Sequence, residues 1–105
     1  MGRGEGEVLR TREAWAGNPT AANLVAVQWR ERELEFDLVV VNLAPHRSQC
    51  YAPLSVPNLS ARVWRMEDRL GEERYVRAGE DLQSQGLYLD LPARGAQLFH
   101  FKPEL

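Results

Sequence analysis

Apolar residues in this chain recur at every second position, in short runs broken by Gly, Pro, Asn and charged residues. That is the period of a strand with one side in a core and the other in solvent. The strongest run is 34–43. Its first half places Leu34, Phe36 and Leu38 on one side and Glu35 and Asp37 on the other, a stripe expected to be solvated. Its second half, 38–43, is apolar on both sides apart from Asn42. A half-buried strand keeps alternating, so the second side of this one calls for cover, from another layer or from outside the chain.

Similar runs flank it. Residues 24–29 are β-branched and aromatic, and 30–33 form a polar turn. Ala44-Pro45-His46-Arg47 turns the chain into a strand over 48–54, which Pro53 puts at a sheet edge or a strand end. Residues 61–66 set Ala61, Val63 and Arg65 against Arg62, Trp64 and Met66, and 74–77 form a short extended piece. Leu87, Leu89 and Leu91 alternate with Tyr88 and Asp90. Pro92-Ala93-Arg94-Gly95 then returns the chain into 96–101 as a closing hairpin. Upstream, 8–15 hold a short strand or extended segment before the turn Ala16-Gly17-Asn18-Pro19-Thr20. The polar, Gly-bounded stretch 78–86 reads as a loop, and no stretch carries a sustained helical period. About seven to eight short strands, with turn signals about every 8–12 residues, predict an all-β, antiparallel Greek-key β-sandwich; a small β-barrel is the alternative.

Length and composition narrow this further. The 105 residues fit one domain, expected over 8–105 behind a flexible lead-in at 1–7. A hydrophobic fraction of 44% and a charged fraction of 27% are ordinary for a globular chain. A net charge of −2, with both signs mixed along the chain, argues against nucleic acid or a membrane surface as partner. Twelve of the thirteen basic residues are Arg, but they are scattered from Arg3 to Arg94 rather than clustered as phosphate recognition requires. The longest apolar run, 38–41, is far short of a membrane span. Cys50 is alone and no signal-peptide pattern opens the chain, so the expected compartment is the cytoplasm.

Candidate chemistry is thin. His46 lies in a Pro-containing turn and is expected to be solvated. His100 faces away from Phe99 and Phe101 and is expected at the surface or an edge. Cys50 reads as a small strand hydrophobe. None of the three sits in a nucleophile motif, and two His with one Cys give no metal-ligand spacing. The acidic pairs Glu67-Asp68, Glu72-Glu73 and Glu80-Asp81 are expected to pair with arginines such as Arg69 and Arg74. No catalytic residue, metal or cofactor is therefore expected. The residues suited to touch a sugar face or a neighbouring domain are aromatic: Trp15, Trp29, Tyr51, Trp64 and Tyr88. For each Trp, burial in the core competes with that role.

Several segments carry a family resemblance. Ala14-Trp15-Ala16-Gly17-Asn18-Pro19-Thr20, followed by Asn23-Leu24, resembles the opening of the C-terminal domain in some α-amylase-family (family 13) glycoside hydrolases. Val39-Val40-Val41-Asn42-Leu43-Ala44 with Ser48-Gln49-Cys50-Tyr51 resembles the strand pair that follows. Trp64, Asp68, Leu70 and residues 75–77 resemble a next segment, and 86–92 with 95–99 resemble the closing hairpin. The resemblance covers most of 14–102. It implies an antiparallel β-sandwich behind a (β/α)8 catalytic barrel, serving as a non-catalytic accessory domain in α-glucan metabolism. No catalytic residue carries over. The implied partner is the barrel, with α-glucan touched in some members; a homodimer through an exposed apolar face is another way to cover that face. A stand-alone carbohydrate-binding module and an unrelated protein-interaction sandwich remain as alternatives.

Overall fold

The alternating runs become strands of two antiparallel sheets. The structure, a computed structural model, describes residues 6–32, 35–56, 59–71 and 73–104. The strands are β1 (Gly6–Leu9), β2 (Arg12–Glu13), β3 (Leu24–Arg32), β4 (Glu35–Asn42), β5 (Ser48–Ala52), β6 (Val63–Asp68), β7 (Arg74–Ala78), β8 (Leu87–Leu91) and β9 (Ala96–Pro103). The larger sheet has the order β1-β3-β4-β9-β6-β7, and the smaller β2-β5-β8. This is the all-β sandwich that the period of two predicts. Pro53 falls just past the end of β5, where its missing N–H costs no ladder bond. Two residues of the expected lead-in, Gly6 and Glu7, belong to β1; the rest, 1–5, lie outside the described residues.

The core lies between the sheets. From the larger sheet it receives Leu24, Ala26, Phe36, Leu38, Val40, Trp64, Met66, Phe99 and Phe101; from the smaller, Cys50, Ala52, Leu87, Leu89 and Leu91. Phe36 and Phe101 stack with centroids 4.5 Å apart, and Trp64 meets Phe36 edge-on at 5.5 Å. Burying the Trp64 indole requires a partner for its N–H. Nε1 donates to the Leu59 carbonyl at 3.0 Å.

Two expectations are corrected. The stretch read as a loop contains a helix, α1 (Gly79–Gln85). Seven residues are too few to display a helical period, but the local signals are there. Glu80 and Asp81 sit in the first turn, where the helix dipole favours negative charge. Gly86 ends the helix at φ 87°, a conformation that favours glycine. Leu82 anchors α1 in the core.

The second correction concerns the chain end. Strands β8 and β9 do not pair as a hairpin; β8 pairs with β5, and β9 inserts between β4 and β6. The residues between them carry the chain from one sheet to the other. Arg94 N–H donates to the Ala44 carbonyl at 3.0 Å, and Asn42 N–H to Gly95 O at 2.8 Å, fixing this crossover to the end of β4. The Leu side of β8 and the Phe side of β9 thus contribute to the core from opposite layers. Alternation alone reports that each strand has an apolar side, not which sheet receives it.

Candidate functional site

Strand register decides what the solvent side of the larger sheet presents. Because Phe36, Leu38 and Val40 point inward, Glu35, Asp37, Val39 and Val41 share the outer side. Across the strands, Trp29, Asp37, His100, Glu67 and Arg74 are successive partners and form one outward row. In that row His100 Nδ1 lies 2.7 Å from Asp37 Oδ1, and Nε2 lies 2.9 Å from Glu35 Oε1. His100 is 6% exposed and Asp37 7%. These values overturn two expectations: His100, expected at the surface or an edge, is nearly buried on a central strand, and Asp37 is not part of a solvated stripe. The cause is pairing, since each buries the other's polar atoms. The signal was in the sequence only through register, because an acid at 37 and a base at 100 meet once β4 and β9 align.

Beyond this row the charges continue. Lys102 Nζ lies 3.4 Å from Glu67 Oε1. Burial works to raise the Glu67 carboxyl, but Lys102, with Arg69 and Arg74, more than offsets it and holds Glu67 below its ordinary value. Arg65 donates through Nε and Nη2 to the two Glu104 oxygens at 3.0 and 3.1 Å, a bidentate pair that lowers the Glu104 carboxyl.

On the other side of the row the same face is aliphatic. Val8, Val27, Val39 and Leu98 form one line of register partners, and Val25, Val41 and Ala96 form the next. Val8 is 72% exposed and Val25 37%. The second side of the apolar run 38–43 therefore has no covering layer among the described residues. Trp29 closes this patch against the charged row. Its ring lies over β1, where a Cβ placed on Gly6 would come within 2.8 Å of Trp29 Cε2.

The smaller sheet offers different chemistry outward. Tyr51 and Tyr88 are register partners with ring centroids 5.5 Å apart. Tyr88 is 46% exposed, and burial first, then the Asp90 charge, push its hydroxyl up. Beside them Asp90 Oδ1 accepts from Arg47 Nη1 at 2.9 Å and from Gln49 Nε2 at 3.3 Å. Asn18 Nδ2 donates to Gln49 Oε1 at 3.0 Å, and Asn18 Oδ1 caps the Pro19–Asn23 turn by accepting from Thr20 N–H.

The five aromatic candidates thus separate. Tyr51 and Tyr88 come together on the smaller sheet, Trp29 borders the aliphatic patch, and Trp15 stands exposed in the loop before Pro19. Trp64 is fully buried, so it presents no ring to a ligand at the surface. His46 is exposed in its turn, as expected. Cys50 is fully buried, and burial pushes its thiol up to about 12, which suits a core hydrophobe rather than a nucleophile.

No protein-family model matches the sequence, and no curated protein matches it. Among solved structures, the fold is found in a Bacillus halodurans protein assigned as an alpha-N-acetylgalactosaminidase, with a TM-score of 0.62 and 12% identity. The match covers 93% of this chain and 22% of that one. At that identity the likeness is one of fold: this chain has the architecture of a β-sandwich segment within a much longer glycoside hydrolase chain.

Proposed function

We propose that this chain is a non-catalytic accessory β-sandwich of a glycoside hydrolase, of the kind that packs on and supports an α-amylase-type (β/α)8 barrel. The observation that carries the reading is the uncovered aliphatic half of the larger sheet, seven apolar side chains on two register lines. Contiguous apolar surface rimmed by fixed charge marks an interaction face. The sandwich segment of the solved glycoside hydrolase chain supports the enzyme setting. The amylase type rests on the segments around Trp15, Asn42 and Tyr88 described above.

The test is reconstitution. The chain is purified together with a (β/α)8 glycosidase barrel encoded at the same locus. Stoichiometric co-elution with a raised melting temperature supports the reading. A locus without such a barrel, or a barrel that ignores the chain, overturns it. The Tyr51–Tyr88 pair, with Tyr88 exposed, favours one second reading, a carbohydrate-binding module that acts without a barrel.

A further inference from the structure

The smaller sheet is half as wide as the larger, and β8 is its edge. Among the described residues no strand pairs with the far side of β8. The inner sides of β6, β7 and β9 are therefore left partly open beside it, and a cleft of about 130 Å³ runs there. Its floor includes the buried side chains Met66 and Phe99. Tyr75 from the larger sheet and Tyr88 from the smaller both line it. Three planar polar groups join them: Arg77, Asp90 and Gln97.

These groups are partly positioned. The Arg77 guanidinium sits 5.1 Å from the Tyr75 ring centroid, within cation–π range. Arg47 and Gln49 both hold Asp90 through Oδ1, leaving Oδ2 without a partner among the described residues. A carboxylate, a guanidinium and an amide are the side chains that engage adjacent hydroxyls two at a time. Tyrosine rings offer flat apolar surface with a polar tip. A pyranose ring has the matching chemistry, with C–H faces edged by vicinal hydroxyls. The volume corresponds to about four waters, the scale of one sugar ring seated part-way.

We propose that the cleft along the free edge of β8, between Tyr75 and Tyr88, binds one pyranose ring of an oligosaccharide. The proposal rests on the carbohydrate-enzyme setting proposed above and adds to it a ligand class and a place. It also separates the aromatic residues: Tyr88 binds, whereas Trp15 and Trp29 do not.

The experiment is an NMR titration of the full chain with maltoheptaose, cellohexaose and N-acetylgalactosamine at millimolar concentration. Saturable shifts at the Met66 methyl and the Gln97 side-chain amide are expected with at least one sugar. Tyr88→Ala weakens that binding about tenfold or more, whereas Trp15→Ala leaves it unchanged. Gln97→Ala serves as a second cleft variant should Tyr88→Ala lose its native spectrum. No saturable shift with any of the three sugars overturns the proposal. So do shifts confined to Trp15 or Trp29, or unaltered binding in folded cleft variants. A chain that joins its barrel but ignores every sugar loses this inference and keeps the accessory role. A chain that binds sugar at the cleft and joins no barrel does the reverse.

Discussion

His100 and Asp37 stand opposite each other on β9 and β4, 2.7 Å apart and nearly buried on a sheet face that otherwise meets solvent. With Glu35 on Nε2, both ring nitrogens are taken by carboxylates. Removing the ring leaves an acid at Asp37 without that partner and shielded from water. The expected cost of His100→Leu is roughly 2–4 kcal/mol. Replacing both members, as His100→Leu with Asp37→Leu, recovers part of that loss because no polar atom of the pair is then stranded. Urea unfolding of the single and double variants checks this; equal stability of His100→Leu and the parent would show that the pair is decorative.

Asn42 is the one polar residue in the second half of the strongest apolar run, and its side chain fastens the crossover. Nδ2 donates to the carbonyls of His46, Leu91 and Pro92 at 2.9, 3.2 and 2.9 Å, and Oδ1 accepts from Ala44 N–H at 3.0 Å. Asn42→Ala strands several of these groups, for an expected loss of roughly 2–4 kcal/mol. Asn42→Asp sets an oxygen where Nδ2 now faces three carbonyls and is expected to cost more than Ala. Thermal unfolding of both variants orders them.

Gly79 begins α1 where the backbone of residues 59–62 closes on it. A Cβ there would lie 1.9 Å from the Leu59 carbonyl oxygen and 2.3 Å from that of Arg62. Both are backbone atoms, and the Arg62 carbonyl also accepts from Gly79 N–H at 2.8 Å. A shift at Leu59 also disturbs the carbonyl that satisfies Trp64. Gly79→Ala is expected to destabilise by about 2 kcal/mol or more. A red-shifted Trp emission is expected alongside, reporting water at Trp64.

Cys50 gives a pH dependence with a definite sign. Its thiol is raised from 9.0 to about 12 by burial, so above pH 9 the unfolded chain releases a proton that the folded chain keeps. The unfolded chain then holds fewer protons than the folded one, and stability falls as pH rises from about 9 towards 12, by about 1.4 kcal/mol per unit at most. The difference between the parent and Cys50→Ala isolates this slope, since other groups titrate alike in both. At neutral pH the native thiol is expected to resist iodoacetamide and to react on unfolding in urea.

How much of this was legible beforehand follows from what period two encodes. It gave strand 35–42 nearly whole, and it grouped Phe36 with Leu38 and Trp64 with Met66, because alternation is local; it stopped the strand before it at 29 and read 30–33 as a turn, whereas β3 runs on to Arg32. It did not give α1, whose helix rests on Leu82 and caps rather than on period. Nor did it give the β8–β9 crossover, because a turn with Pro92 and Gly95 serves a hairpin and an arch equally. The His100–Asp37 pair and the cleft beside β8 depend on which strands neighbour each other, information held in the sheet order and not in any one segment. The doubly apolar run 38–43 was legible, and the structure leaves Val39 and Val41 on the open side.

That open side supports a final prediction about association rather than stability. Val25 stands on the aliphatic half of the outer face, opposite Val41, and Val76 on the same face beyond the charged row. Both are partly exposed, so Val25→Lys and Val76→Lys are each expected to change stability by under about 1 kcal/mol. Their effects on a partner differ. If the aliphatic half is the docking face, a lysine at 25 places an unpaired charge within it and weakens association about tenfold or more, with the barrel or with a second copy alike. A lysine at 76 lies outside the face and changes association little. Sedimentation velocity of each variant with the barrel, and alone, reads both outcomes. Equal loss from the two substitutions would mean that the whole sheet, not its aliphatic half, meets the partner; no loss from either would move the interface to the smaller sheet.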